Sequence, residues 1–119
     1  MSVPDGTGPF PTVLVVHHMW GIDGFTQDIT HRLAGAGYVG VAPEMFHRDG
    51  PDCQDDAPTR NQRYWDDHII LDVNATVDFL LKHQAVDGER LGIVGFCSGG
   101  RVTYLMAAVN PIFKAAATY

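Results

Sequence analysis

The chain has 119 residues, 45% of them hydrophobic and 18% charged, with a formal net charge of −6. That length fits one domain with a modest core, and the acidic balance excludes nucleic acid and anionic membrane as main partners, since both select basic patches. Its two cysteines, Cys53 and Cys97, make neither a disulfide framework nor a C-x-x-C metal spacing; no basic leader or apolar run of about 18 residues is present, so the chain reads as soluble, cytoplasmic and metal-free.

Thr12-Val13-Leu14-Val15-Val16 is a β-branched run entered from Gly8-Pro9-Phe10-Pro11, and its continuous apolarity suits a strand buried on both faces. Phe25, Ile29, Leu33 and Ala36 recur at helical spacing, and Gly35 and Gly37 suit the end of that helix. Tyr38-Val39-Gly40-Val41-Ala42 is a second strand stopped by Pro43, and residues 43 to 58 read as a loop. Trp65, Ile69, Val73, Val77 and Leu80 or Leu81 mark a long amphipathic helix with Asp66, Asp67, Asp72, Asp78 and Lys82 on its outer face. Asp87-Gly88 is a turn, Leu91 to Phe96 a third strand, Arg101 to Val109 a third helix, and Lys114 to Tyr119 a fourth strand. The order β-α-β-α-β-α-β predicts an α/β fold, a parallel sheet with right-handed crossovers.

The chemistry is expected where the third strand meets its helix. Gly95-Phe96-Cys97-Ser98-Gly99 matches the nucleophile elbow G-x-S-x-G with cysteine in the serine position. Such a turn holds its nucleophile in a strained conformation, and the flanking glycines remove side chains that would collide. Cys97 then stands at a helix N-terminus, where free N–H groups and the dipole favour a thiolate, and Ser98 offers its backbone N–H to an oxyanion. The alternative is an inert cysteine buried in a tightly packed junction.

After the first strand comes His17-His18-Met19-Trp20-Gly21, where this fold supplies the other oxyanion N–H. With that loop, with Gly37-Tyr38-Val39-Gly40-Val41-Ala42-Pro43-Glu44, and with Val94-Gly95-Phe96-Cys97-Ser98-Gly99-Gly100, the chain resembles the dienelactone hydrolase family over most of residues 11 to 119. The resemblance implies a partial α/β-hydrolase fold, with residues 1–119 forming a single, incomplete domain that holds the N-terminal, nucleophile half. It also implies hydrolysis of carboxylic ester or lactone bonds by a Cys-His-Asp triad through an acyl-enzyme, with no metal or cofactor. By motif position Cys97 corresponds to the nucleophile, and the Met19 and Ser98 amides to the oxyanion hole.

Where family members carry a glutamate against the resting thiol, this chain has His18, whose imidazole would be a partner for the Cys97 thiol through a thiolate–imidazolium pair. The acid and histidine of the triad follow the nucleophile in this fold, and neither follows Tyr119. With only a short Gly/Pro-rich lead before the first strand, the chain reads as truncated at both ends, with open sheet edges prone to self-association. The expected partner is a small-molecule ester or lactone; an arginine for a substrate carboxylate would come from Arg48, Arg60, Arg63 or Arg101, which the sequence does not rank. Two other classes stand beside the hydrolase: a non-catalytic fragment or pseudoenzyme that binds small molecules or partner chains, and a thiol-based redox protein using Cys97 alone.

Other features read as structural. Adjacent His17 and His18 point to opposite faces of an extended chain and do not share a metal, and His17 is expected to hold a hydrogen-bonded structural place. The glycine spacing of Gly35 to Gly40 ends a helix and opens a strand, the reverse of a dinucleotide fingerprint. Asn74-Ala75-Thr76, a formal glycosylation sequon, falls mid-helix. Asp66 and Asp67 read as a solvated helix face, and Glu44 as a turn or surface residue.

Overall fold

The β-branched run becomes the body of β1 (Phe10–Val16) in a computed structural model that describes residues 1–119. Leu14, Val15 and Val16 have no exposed surface, as a strand covered on both faces requires. β2 (Val39–Val41) pairs with one side of β1, β3 (Val86–Gly95) with the other, and β4 (Phe113–Thr118) with β3, all parallel, in the order β2-β1-β3-β4. The helices are α1 (Gly24–Gly35), α2 (Ala57–Gln62), α3 (Asp66–Leu81) and α4 (Ser98–Val109). The expected parallel α/β architecture is present.

The chain steps from β1 out to β2, then back past β1 to β3 and on to β4. Right-handed crossovers therefore set α1 on one face of the sheet and α3 and α4 on the other. The main core joins Leu14 and Val16 of β1 and Leu91 and Ile93 of β3 to Ile69, Val73, Val77 and Leu80 of α3 and Val102 and Met106 of α4. Val15 points the opposite way by strand alternation, toward the α1 face. No helix is long and apolar enough to cross a membrane.

Four expectations need correction. On α1, Thr26 and Thr30 are the fully buried residues, whereas Phe25 and Ala36 are exposed. The helix is turned because Thr26 is tied to its cap at Asp23, and Phe25 packs edge-on against Phe96 with ring centroids 4.9 Å apart. Trp65 caps α3 from outside and is exposed, and Leu80, not Leu81, enters the core. The Asp87-Gly88 turn lies inside β3: Val86 pairs with Phe10, and the register then jumps so that Leu91 pairs with Thr12. The expected turn is instead a bulge within the strand, with Arg90 Nε on Asp87 Oδ2 at 2.6 Å.

The stretch expected as a loop contains a 3-10 turn, His47–Asp49, and leads into α2. Asp49 accepts from Arg60 Nε at 3.1 Å and Arg63 Nε at 3.2 Å, and the Arg60 guanidinium lies 4.7 Å over the Phe46 ring. Asp72 accepts from Arg48, so it anchors this excursion to α3 and is not simply a solvated face. The N-terminal lead returns to the sheet, where Ser2 and Gly40 exchange backbone hydrogen bonds at the outer side of β2.

Truncating the fully buried Ile69 to alanine is expected to cost about 2–5 kcal/mol in urea denaturation. Leu71→Ala, on the exposed side of the same helix, stays within about 0.5 kcal/mol.

Candidate active site

The elbow is built by a close approach. Cys97 sits between β3 and α4 with φ 55° and ψ −113°, the chain's non-glycine residue at positive φ. Holding a side chain there costs on the order of 1–3 kcal/mol, so neighbours must impose it. They do: Phe96 N–H donates to the Val16 carbonyl at 3.3 Å, and Cys97 N–H to the Tyr119 carbonyl at 2.8 Å. A Cβ on Gly95 would stand 1.9 Å from the Gly99 oxygen, and one on Gly99 only 2.3 Å from the Val16 oxygen. Cys97 is exposed, which does not fit inert buried core, while the Ser98 hydroxyl is buried without a partner. The elbow register thus presents Cys97 and hides Ser98.

The loop after β1 is organised by two histidines with complementary tautomers. His17 is buried; its Nδ1 donates to the His18 carbonyl at 2.7 Å, and its Nε2 accepts from Met45 N–H at 3.1 Å. His18 is the reverse: Nδ1 accepts from Trp20 N–H at 3.1 Å and Nε2 donates to Asp23 Oδ2 at 3.0 Å. The two rings point apart, with His17 against Phe46 and His18 against Phe25. His17 holds the structural place expected of it. Glu44 makes its turn, accepting from Phe46 N–H at 2.9 Å.

Neither Met19 N–H nor Ser98 N–H donates a hydrogen bond within the chain. β1 and β3 are neighbours at the point where the sheet's connections diverge, which sets their C-terminal loops side by side, where ligands gather in such sheets. There His18, Met19, Trp20, Phe25, Phe96 and Cys97 line an open cleft of about 440 Å³. Of the residues that line this cleft, sequence reasoning singled out Cys97, Met19 and His18 but not Phe25 or Phe96, nor Asp23, which holds His18. Asp23 was findable, because an aspartate directly before a helical run is an N-cap signal; its Oδ1 accepts from Thr26 N–H at 3.0 Å.

Both His18 ring nitrogens are taken, so in this arrangement His18 walls the cleft without offering a nitrogen to the thiol. The four arginines considered for a substrate carboxylate lie elsewhere. Arg48 pairs with Asp72, Arg60 with Asp49, Arg63 with Asp49 and Asp55, and Arg101 with Asp66, and none lines the Cys97 cleft. Cys53 sits with Asp55 and Arg63, also outside it.

A parallel sheet whose strand-to-helix elbow lifts one side chain above the strand ends defines an α/β-hydrolase fold. A family model for the dienelactone hydrolases matches residues 1–119, and the chain belongs to that family. A putative carboxymethylenebutenolidase of Methylorubrum extorquens is 39% identical over 119 residues, covering 96% of this chain and 41% of its own length. One of Yersinia pestis is 37% identical, covering 95% and 44%. The crystal structure of a putative dienelactone hydrolase from Klebsiella pneumoniae superposes with a TM-score of 0.84 at 37% identity, over 95% of this chain and 50% of that one. A dienelactone hydrolase-like promiscuous phosphotriesterase from metagenomic libraries gives 0.81 at 27%, over 96% and 48%. The chain thus spans less than half the length of these two curated relatives.

Two outcomes follow from this geometry. Gly99→Ala is expected to prevent native packing of the elbow, seen as loss of a cooperative thermal transition by circular dichroism; a wild-type melting curve would show that the approach to Val16 can relax. The Asp23 carboxyl is held below its ordinary value, first by the Thr26 amide and then by the Thr26 hydroxyl and His18. Its contribution to stability is therefore whole above the ordinary carboxylate range and lost as pH falls through the lowered folded value. Asp23→Ala should lower the melting temperature at neutral pH, and the gap from wild type should close in strong acid.

Proposed function

We propose that residues 1–119 form one domain unit carrying the nucleophile half of a hydrolase that acts on carboxylic ester or lactone bonds, with Cys97 as nucleophile. The observation that carries this reading is the exposed Cys97 at positive φ on the head of α4, in one cleft with Met19 and next to the unpaired Ser98 amide. In the proposed reaction the Cys97 thiolate attacks the substrate carbonyl carbon. The Met19 and Ser98 N–H groups receive the charge that develops on its oxygen. Collapse of the tetrahedral species expels the alkoxide and leaves an acyl-thioester, which water then hydrolyses to free acid and thiol.

Hydrolysis of the thioester calls for a general base. His18 is the histidine that lines the cleft, and its nitrogens serve Trp20 and Asp23. Family resemblance assigns the base and its orienting aspartate to the part of the family's length that this chain does not span. His18 is then proposed as a residue that shapes the cleft wall. The relatives' names support lactone chemistry in the substrate class.

The 119 residues on their own are expected to be acylated once at Cys97 by a p-nitrophenyl ester and to release the acyl group slowly, a stalled adduct visible by mass spectrometry. Iodoacetamide should label Cys97 well before Cys53 at neutral pH, and Cys97→Ala should abolish the adduct. An adduct that persists in Cys97→Ala, or equal labelling of the two thiols, would remove Cys97 from the reaction.

A further inference from the structure

We infer that buried His17 is the positioning residue of the oxyanion hole, acting on Met19 through the peptide that joins His18 to Met19; this rests on the proposed function of Cys97. The His18 carbonyl and the Met19 N–H belong to one planar trans peptide, so they point in opposite directions. Two donors hold that carbonyl: Gly21 N–H at 3.1 Å, closing the turn, and His17 Nδ1 at 2.7 Å, reaching it from the core. With its oxygen drawn inward to a fully buried ring, the peptide turns its N–H outward, on the side where Met19 lines the cleft beside Cys97.

The same ring is fixed in turn. Met45 N–H donates to His17 Nε2 at 3.1 Å, which leaves the proton on Nδ1, where it must be to serve the His18 carbonyl. Accepting at one nitrogen and donating at the other, His17 relays a hydrogen bond from the chain beyond β2 to the oxyanion peptide. Each bond in such a chain polarises the next, so the Met19 N–H is a stronger donor than an isolated amide. A turn closed by Gly21 alone would leave the peptide free to rock about its flanking bonds.

Two substitutions separate the ring's halves. His17→Asn places an amide N–H where Nδ1 was and gives up the acceptor for Met45; His17→Gln keeps an acceptor near Nε2 and gives up the donor to His18. Two reagents separate the oxyanion from the thiol: acylation by p-nitrophenyl acetate passes through a tetrahedral oxyanion, whereas alkylation by iodoacetamide displaces iodide without one. His17→Gln is expected to lower the ratio of acylation to alkylation rate at Cys97 by about tenfold, a fraction of the 10²–10³ lost when an oxyanion donor is removed outright. His17→Asn should hold that ratio near wild type despite a lower melting temperature.

Equal ratios in wild type and His17→Gln, or equal losses in both variants, overturn the inference while leaving Cys97 as nucleophile. A wild-type chain that neither reagent modifies at Cys97 overturns the proposed function instead. Should His17→Gln fail to fold, ring ¹⁵N shifts in the unmutated protein serve. A His17 protonated at Nδ1 and bare at Nε2 is expected, and the opposite tautomer removes the relay.

Discussion

The head of α4 comes so near the end of β1 that a Cβ on Gly99 would lie 2.3 Å from the Val16 oxygen and 2.7 Å from that of His17. This contact is possible only between backbones, and it sets the geometry of the whole upper edge of the sheet. It forces the chain to leave β3 through a single residue at positive φ. It also brings the loop that follows β1 within reach of the elbow, so two segments some 80 residues apart in sequence, at Met19 and Cys97, line one cleft. A strained residue persists where its surroundings over-determine it, and here two strands and a helix do so: β1 through Phe96 N–H, the end of β4 through Tyr119, and α4 through Gly99.

Around that contact the polar groups divide labour by depth. His17, in the core, connects the ends of β1 and β2 through main-chain partners. His18, at the rim, connects the same loop to the start of α1 through Asp23. Neighbouring residues of one type thus take opposite tautomers, because one ring is offered an amide at Nε2 and the other at Nδ1. The apolar remainder of the cleft is aromatic: Phe25 meets Phe96 edge-on, and Phe96 stacks on Tyr119 with ring planes 16° apart.

What the sequence made legible was whatever rests on local pattern. Val13 to Val16 needed no tertiary context to read as a buried strand, and the elbow announced itself through glycines at fixed offsets from Cys97. The excursion between β2 and α3 was opaque, because its order comes from Asp49 gripping Arg60 and Arg63 and from Arg60 lying over Phe46, pairings without periodicity. The orientation of α1 was misread for a related reason. Hydrophobic spacing pointed Phe25 inward, but the Asp23 cap buried Thr26 and left Phe25 to the cleft wall. Asp87-Gly88 looked like a turn, yet pairing of Val86 with Phe10 makes it a bulge within one strand. For His18, residue type suggested a partner for the thiol, whereas in the fold its two nitrogens serve Asp23 and the Trp20 amide.

Asp23 serves two structures with one carboxylate, Oδ1 on the Thr26 amide and Oδ2 on the His18 ring. Fraying of the first turn of α1 and release of the His18 ring are consequently coupled through that carboxylate. Amide exchange at Thr26 therefore reports on the hold over the cleft wall as well as on the helix end.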